Sequence, residues 1–220
     1  EISLGLVGSE MCIETELKVP YVGLIGNHDC LGTGEETFRI VFGDPNFSFI
    51  AGRIKFVCLN TNAIEFDYSR PIPDFEFINA QLDDRRDEYD RTIFSMHIRP
   101  FCFEFNNNVA QAFQYSIKQF PGLLFCTAAH EHRLFEEDLF EDGVMYYMSD
   151  CMKHRSYYIF TVTPDGYERE GSIIKALTCF LLVCSSTGYA QEANTITIEP
   201  RRVFRDTVII TKHDTCLLYT

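Results

Sequence analysis

Four of the chain's six histidines stand where short apolar runs end. His28 follows Tyr21–Gly26 (YVGLIG), His97 closes Thr92–His97 (TIFSMH), and His130 and His132 follow Gly122–Ala128 (GLLFCTA). Imidazole ligates Zn, Fe and Mn, and it exchanges a proton near neutral pH. A single histidine in such a place is ordinarily a satisfied structural residue. Recurrence at three strand ends points instead to one shared pocket, because functional groups of open α/β sheets gather beyond the carboxyl ends of their strands. In Gly26-Asn27-His28-Asp29 the glycine permits an unusual turn and Asn27 adds an amide oxygen to the imidazole of His28. His130 and His132 would face opposite ways on a regular strand, so both reach one site only if the loop holding them is irregular.

The elements that must position these residues follow from hydropathy. Tyr21–Gly26 reads as a short strand buried on both faces. Glu35–Phe42 suits one or two helical turns, and Phe47–Ile50 with Arg53–Asn60 suits a hairpin turning at Ala51-Gly52. Asp74 caps a helix expected to run to about Tyr89, and Asn108–Phe120 places Val109, Phe113 and Ile117 along one helical face. Arg91–His97, Gly122–Ala128, Val144–Met148 and Tyr157–Val162 read as strands. Strands alternating with helices, then following one another, predict an α/β sandwich with a mixed sheet.

Composition narrows the function classes. A net charge of −13 repels a phosphate backbone, so general nucleic-acid binding is not expected. The charge is uneven: residues 171–220 carry a net +1 and residues 1–170 carry −14. Nine cysteines without a C-x-x-C pair suit buried thiols in a reducing compartment such as the cytoplasm. Gly32-Thr33-Gly34 lacks the third glycine of a dinucleotide fingerprint, and no G-K-[ST] is present, so a nucleotide-binding domain is rejected.

G-N-H-D, then a histidine closing a strand, then H-x-H after another strand, in this order, resembles the calcineurin-like metallophosphoesterase family. The resemblance covers about residues 18–168, with His97 placed 69 positions after His28 and His130 placed 33 positions after His97. It implies an α/β fold in which a two-sheet β-sandwich, flanked by helices, carries a dinuclear metal centre at its loop tips. It further implies that Asn27, His97 and His130 ligate one metal and His132 the other, while His28 stabilises the transition state or protonates the leaving oxygen. The complete family site holds two divalent or trivalent ions (Mn, Fe or Zn). The family's G-H-x-H reads Ala129-His130-Glu131-His132 here, and its D-x-H and G-D-x-x-D motifs do not occur before Gly26. The expected fold is therefore incomplete at the N-terminus, with at most one ion held weakly.

Three segments are expected. Residues 1–13 read as a non-native leader, since Ser3–Ile13 and the closing Cys216–Thr220 resemble translated sequencing-adapter read-through. Residues 14–170 form the partial phosphoesterase domain. Residues 171–220 begin with Ser172–Gln191, whose Lys175, apolar run and small-residue end have the layout of a signal peptide. Two readings stay open there: a segment from a different reading frame, or a buried C-terminal element. Its apolar run is about half the ~20 residues a membrane span needs, so no transmembrane helix is expected. The implied function is metal-dependent hydrolysis of phosphomonoesters or phosphodiesters, impaired in this chain. The alternative is a non-catalytic remnant of the fold that binds a ligand or partner.

Overall fold

A computed structural model describes residues 21–62, 71–151, 156–173, 181–184 and 217–219. The leader at 1–13 and most of the signal-like run at 172–191 lie outside these residues. The chain is of the α/β class, built on a six-stranded mixed sheet. Its strands are β2 (Phe47–Ala51), β3 (Ile54–Leu59), β4 (Arg91–Met96), β5 (Leu123–Ala128), β6 (Phe135–Glu137) and β7 (Met145–Met148), in the spatial order β2-β3-β4-β5-β7-β6. The four central strands run parallel, and β2 and β6 close the two edges antiparallel. Parallel strands covered on both faces should be apolar throughout, and β3 has no exposed residue over its six positions.

Side-chain alternation divides the central sheet's two faces. Ile54, Phe56, Cys58, Ile93, Phe125 and Tyr147 face a second sheet, where they pack on Tyr158, Phe160 and Val162. That sheet holds β8 (Ser156–Thr163) paired antiparallel with β9 (Gly166–Ile173) and parallel with β10 (Leu181–Cys184). Phe125 stacks on Phe160 with ring centroids 4.3 Å apart, and Tyr147 meets Phe160 edge-on at 4.8 Å. Fully buried aromatic rings of this kind each contribute roughly 1.5–3 kcal/mol of hydrophobic stabilisation. The Arg91 guanidinium donates to the Thr163 and Pro164 carbonyls, tying β4 to the turn of the β8–β9 hairpin.

The opposite face carries Val57, Leu59, Phe94, Met96, Cys126, Ala128, Tyr146 and Met148, which pack under helices α2 (Phe75–Asp83) and α3 (Ala110–Ile117). In α3 the residues Ala110, Phe113, Gln114 and Ile117 are buried, the i, i+3, i+4, i+7 stripe of a helix on a core. Asp74 caps α2, its carboxylate accepting from the Phe77 amide at 2.9 Å. The helix stops well before Tyr89, because Asp84 caps its end and Arg85 takes a left-handed conformation (φ 52°) that leads into a short 3-10 turn. The second expected helix is also shorter than its pattern, with a single 3-10 turn, Asn107–Val109, before α3.

Helix α1 (Gly34–Phe42) follows the Gly26–Cys30 loop. Strand β1 (Tyr21–Gly23) pairs in parallel with β11 (Leu217–Tyr219), outside the six-stranded sheet. Among the described residues no helix is long and apolar enough to cross a membrane. Cys30, Cys58, Cys102 and Cys126 are buried.

Candidate metal centre

Parallel strands deliver their carboxyl ends to one edge of the sheet. At that edge β3 continues into Asn60-Thr61-Asn62, β4 into His97, β5 into Ala129-His130, and β7 into Ser149. Hydrogen bonds bind these tips to one another. The Ala129 amide donates to the His97 carbonyl at 3.0 Å, the Ser149 amide to the Ala128 carbonyl at 2.8 Å, and the Ile98 amide to Thr61 Oγ1 at 2.9 Å. Asn62, fully buried, donates through Nδ2 to the Ile25 carbonyl at 2.8 Å and so fixes the chain just before Gly26.

The loop Gly26–Cys30 closes as a 3-10 turn in which the Gly26 amide donates to Asp29 Oδ2 at 2.8 Å. Gly26 itself is extended (φ −99°, ψ 170°), a conformation open to any residue, so the unusual turn expected of it is not what requires glycine. Space is. A Cβ at Gly26 would lie 3.3 Å from both His97 Cε1 and Asp29 Oδ2. The missing side chain lets the loop press against the His97 ring.

At this contact Asn27 Oδ1 lies 3.1 Å from His97 Nε2, and His130 Nδ1 lies 3.3 Å from the same nitrogen. His130 reaches it from a left-handed backbone (φ 68°), and His132 is left-handed as well (φ 50°), so the H-x-H loop is irregular. Such conformations cost about 1–3 kcal/mol each for residues with a side chain and persist only where their surroundings enforce them. The salt bridge between Arg99 and Glu131 does so here, joining the loop after β4 to the residue between the two histidines. His28 and His132 are exposed and make no side-chain hydrogen bond to the three converging residues among the described residues. They lie near enough for their charge to act on His97. The His97 pKa is pushed down to about 3, chiefly by burial and then by His130, His132 and His28. His97 is therefore a neutral imidazole, the form that ligates metals.

The donor set fits a cation. An imidazole nitrogen carries either one hydrogen or one lone pair, never both. His97 Nε2 nevertheless has two neighbours, a carbonyl-type oxygen and a ring nitrogen, and one hydrogen or one lone pair does not serve both well. A cation at the junction accepts lone pairs from all three atoms. Ligand-to-ligand edges around an ion with ~2.1 Å bonds are about 3.0 Å in octahedral and 3.4 Å in tetrahedral geometry. The two observed separations fall in that interval.

Beyond His130 stand two residues that residue type and spacing do not single out. Glu104 Oε2 lies 3.2 Å from His130 Nε2 and accepts from the Cys102 thiol at 3.1 Å. Cys102, Glu104 and His130 each offer one donor atom within 4.8 Å of the others. Burial pushes the Cys102 thiol up to about 11, so it keeps its proton. Burial also works to raise Glu104, but hydrogen bonds from Cys102 and its own backbone, with the nearby His130, hold it below the ordinary carboxylate value. The only sequence trace of this group is its position, five and seven residues after His97 in the same loop. No protein-family model matches the chain, and no curated protein matches it.

Proposed function

We propose that this chain is a calcineurin-like metallophosphoesterase domain whose Asn27–His97–His130 junction holds a divalent cation for phosphoester hydrolysis. The observation that carries the reading is the double approach to His97 Nε2, by Asn27 Oδ1 at 3.1 Å and His130 Nδ1 at 3.3 Å. The layering supports it, with a mixed sheet packed on a second sheet, helices outside, His97 and His130 at the tips of β4 and β5, and Asn27 in the loop pressed against them.

A bound ion polarises a phosphoryl oxygen and lowers the pKa of a coordinated water. The chain's own residues do the rest. Asn27, His97 and His130 are neutral donors, so they leave the cation's charge uncompensated and available to phosphate despite the acidic surface. His28 follows Asn27 directly and is solvent-exposed, where its imidazole meets a bound phosphoester and delivers a proton to the leaving oxygen. The resemblance assigns His132, exposed two residues after His130, to the family's second ion, which this chain is not expected to hold.

The test is hydrolysis of an aryl phosphate and an aryl phosphodiester with added Mn²⁺, alongside calorimetric titration with the metal. Slow turnover that depends on Mn²⁺ and is removed by His97→Ala supports the reading. A chain that binds no divalent ion overturns it.

A further inference from the structure

We propose that Glu104 is the positioning residue of His130, fixing the ring in the tautomer that turns a bare Nδ1 toward His97. The inference rests on reading the junction as a metal site, and it concerns how the chain prepares that site before any ion arrives.

The argument starts from proton counting. Glu104 Oε2 faces two groups, His130 Nε2 at 3.2 Å and Cys102 Sγ at 3.1 Å. An ionised carboxylate only accepts, so whichever nitrogen of His130 faces it must carry the hydrogen. That nitrogen is Nε2, and in a neutral imidazole the other, Nδ1, then holds a lone pair. Nδ1 is the atom 3.3 Å from His97 Nε2. Without Glu104 the two tautomers of a largely buried ring differ little in energy, and the one with hydrogen on Nδ1 closes the junction to a cation. A carboxylate behind a ligating imidazole also raises the basicity of the ligating nitrogen.

The loop that carries Glu104 is held in place. The Phe101 amide donates to Asn107 Oδ1 at 2.8 Å, and Asn107 Nδ2 donates to the Cys102 carbonyl at 2.8 Å. The Cys102 amide donates to the Arg99 carbonyl at 3.2 Å, and the Phe105 amide to the Cys102 carbonyl at 3.2 Å. Cys102 and Phe105 are buried on either side while Phe103 points to solvent. Glu104 thus leaves a fixed turn with its carboxylate against His130. Cys102, Glu104 and His130 could instead ligate an ion themselves through Sγ, Oε2 and Nε2. The proton count favours positioning: the thiol and the ring N–H each already have an acceptor in Glu104, while the junction at His97 is the place left with surplus lone pairs.

The experiment uses the full chain with Co²⁺ as the probe, and nitrogen-15 NMR of the histidines of the metal-free protein. The wild type is expected to show His130 with hydrogen on Nε2. Glu104→Ala is expected to lose that single tautomer and to bind Co²⁺ 10–100-fold more weakly, the usual effect of removing an outer partner. Glu104→Gln, whose amide oxygen still accepts from Nε2, is expected to recover most of the affinity. Three results overturn the proposal. One is an unchanged His130 tautomer and unchanged Co²⁺ affinity in Glu104→Ala. Another is hydrogen on Nδ1 in the wild type. The third is an intense thiolate-to-cobalt charge-transfer band that Cys102→Ser removes, which would place the ion on the Cys102 side. If no variant binds Co²⁺ yet Glu104→Ala still changes the tautomer, the positioning role stands and the metal reading of the junction falls.

Discussion

Arg99 and Glu131 meet end to end, Nε to Oε2 at 2.5 Å and Nη2 to Oε1 at 3.2 Å, and this bidentate pair locks together the loops that carry His97 and His130. The pair is largely buried, and the guanidinium also donates to the Pro100 carbonyl at 2.9 Å. Removing one partner leaves the other charge poorly solvated, a loss that often exceeds what the intact pair contributed. Arg133 offers Glu131 a substitute at 3.2 Å and softens the loss. Arg99→Met is expected to lower unfolding free energy by about 2–4 kcal/mol and to weaken divalent-ion binding. Urea denaturation with and without Co²⁺ measures both effects, and an unchanged midpoint would contradict the argument.

Gly26 separates positioning from stability. Its backbone angles suit alanine, so Gly26→Ala should leave the unfolding free energy from urea denaturation within about 1 kcal/mol of wild type. The new Cβ would crowd the His97 ring at 3.3 Å and push it from Asn27. Co²⁺ affinity is expected to fall by roughly ten- to a hundredfold, because small displacements of an aligned group cost disproportionately. Equal affinity in a folded Gly26→Ala chain would show that the close approach is incidental.

Lys55 is the fully buried cation of β3. Its ammonium donates to the Gln81 carbonyl at 2.6 Å, the Asp84 carbonyl at 2.7 Å and Asp84 Oδ2 at 3.1 Å, closing the end of α2 onto the sheet. Lys55→Met keeps the apolar length and removes every donor. The loss is expected to be about 1–3 kcal/mol from stranded carbonyls, read as a lower urea midpoint without loss of Co²⁺ binding.

Much of this was legible in the sequence, and the rest was not for identifiable reasons. The apolar runs that became β3, β4, β5 and β7 stand out because a parallel strand buried on both faces has no polar side to blur it. The Asp74 cap is equally local, one carboxylate three residues from the amide it accepts. Strand β9 reads GYEREGSI, a polar run whose strand character comes from pairing with all of β8. The end of α2 depends on Arg85 turning left-handed, which no hydropathy pattern records. At the site, Asn27, His97 and His130 were visible as chemistry at strand ends. Their supports, Glu104 and the Arg99–Glu131 pair, were not, because a contact across 26 or 32 residues has no local signature.

Alkaline pH should unfold the chain through its buried tyrosines. Burial raises the pKa of Tyr158 from 10.0 to about 12, and Tyr146 and Tyr167 are raised as well. Above pH 10 the unfolded chain releases tyrosine protons that the folded chain retains. The folded state then binds more protons, and stability falls as pH rises. The stabilisation is complete below pH 10 and is lost as pH climbs toward 12 for Tyr158. Urea midpoints should decline over that window, and Tyr158→Phe should decline less steeply. A flat profile from pH 9 to 11 would contradict these shifts.

Metal binding should be visible as stability, because an ion that binds only the folded junction shifts the folding equilibrium by mass action. At a free concentration one hundred times its Kd, the gain is about 2.7 kcal/mol. Asn27, His97 and His130 come from three separate loops, so the unfolded chain cannot assemble them and nearly the whole gain should appear. His97 is the shared member, within 3.3 Å of both others. His97→Ala should therefore abolish the metal-induced shift, a larger effect than removing any outer partner. The measurement is thermal unfolding with and without Co²⁺ and with excess chelator. If His97→Ala gains as much from the metal as wild type, the stabilising ion sits elsewhere on the chain and the junction is not its site.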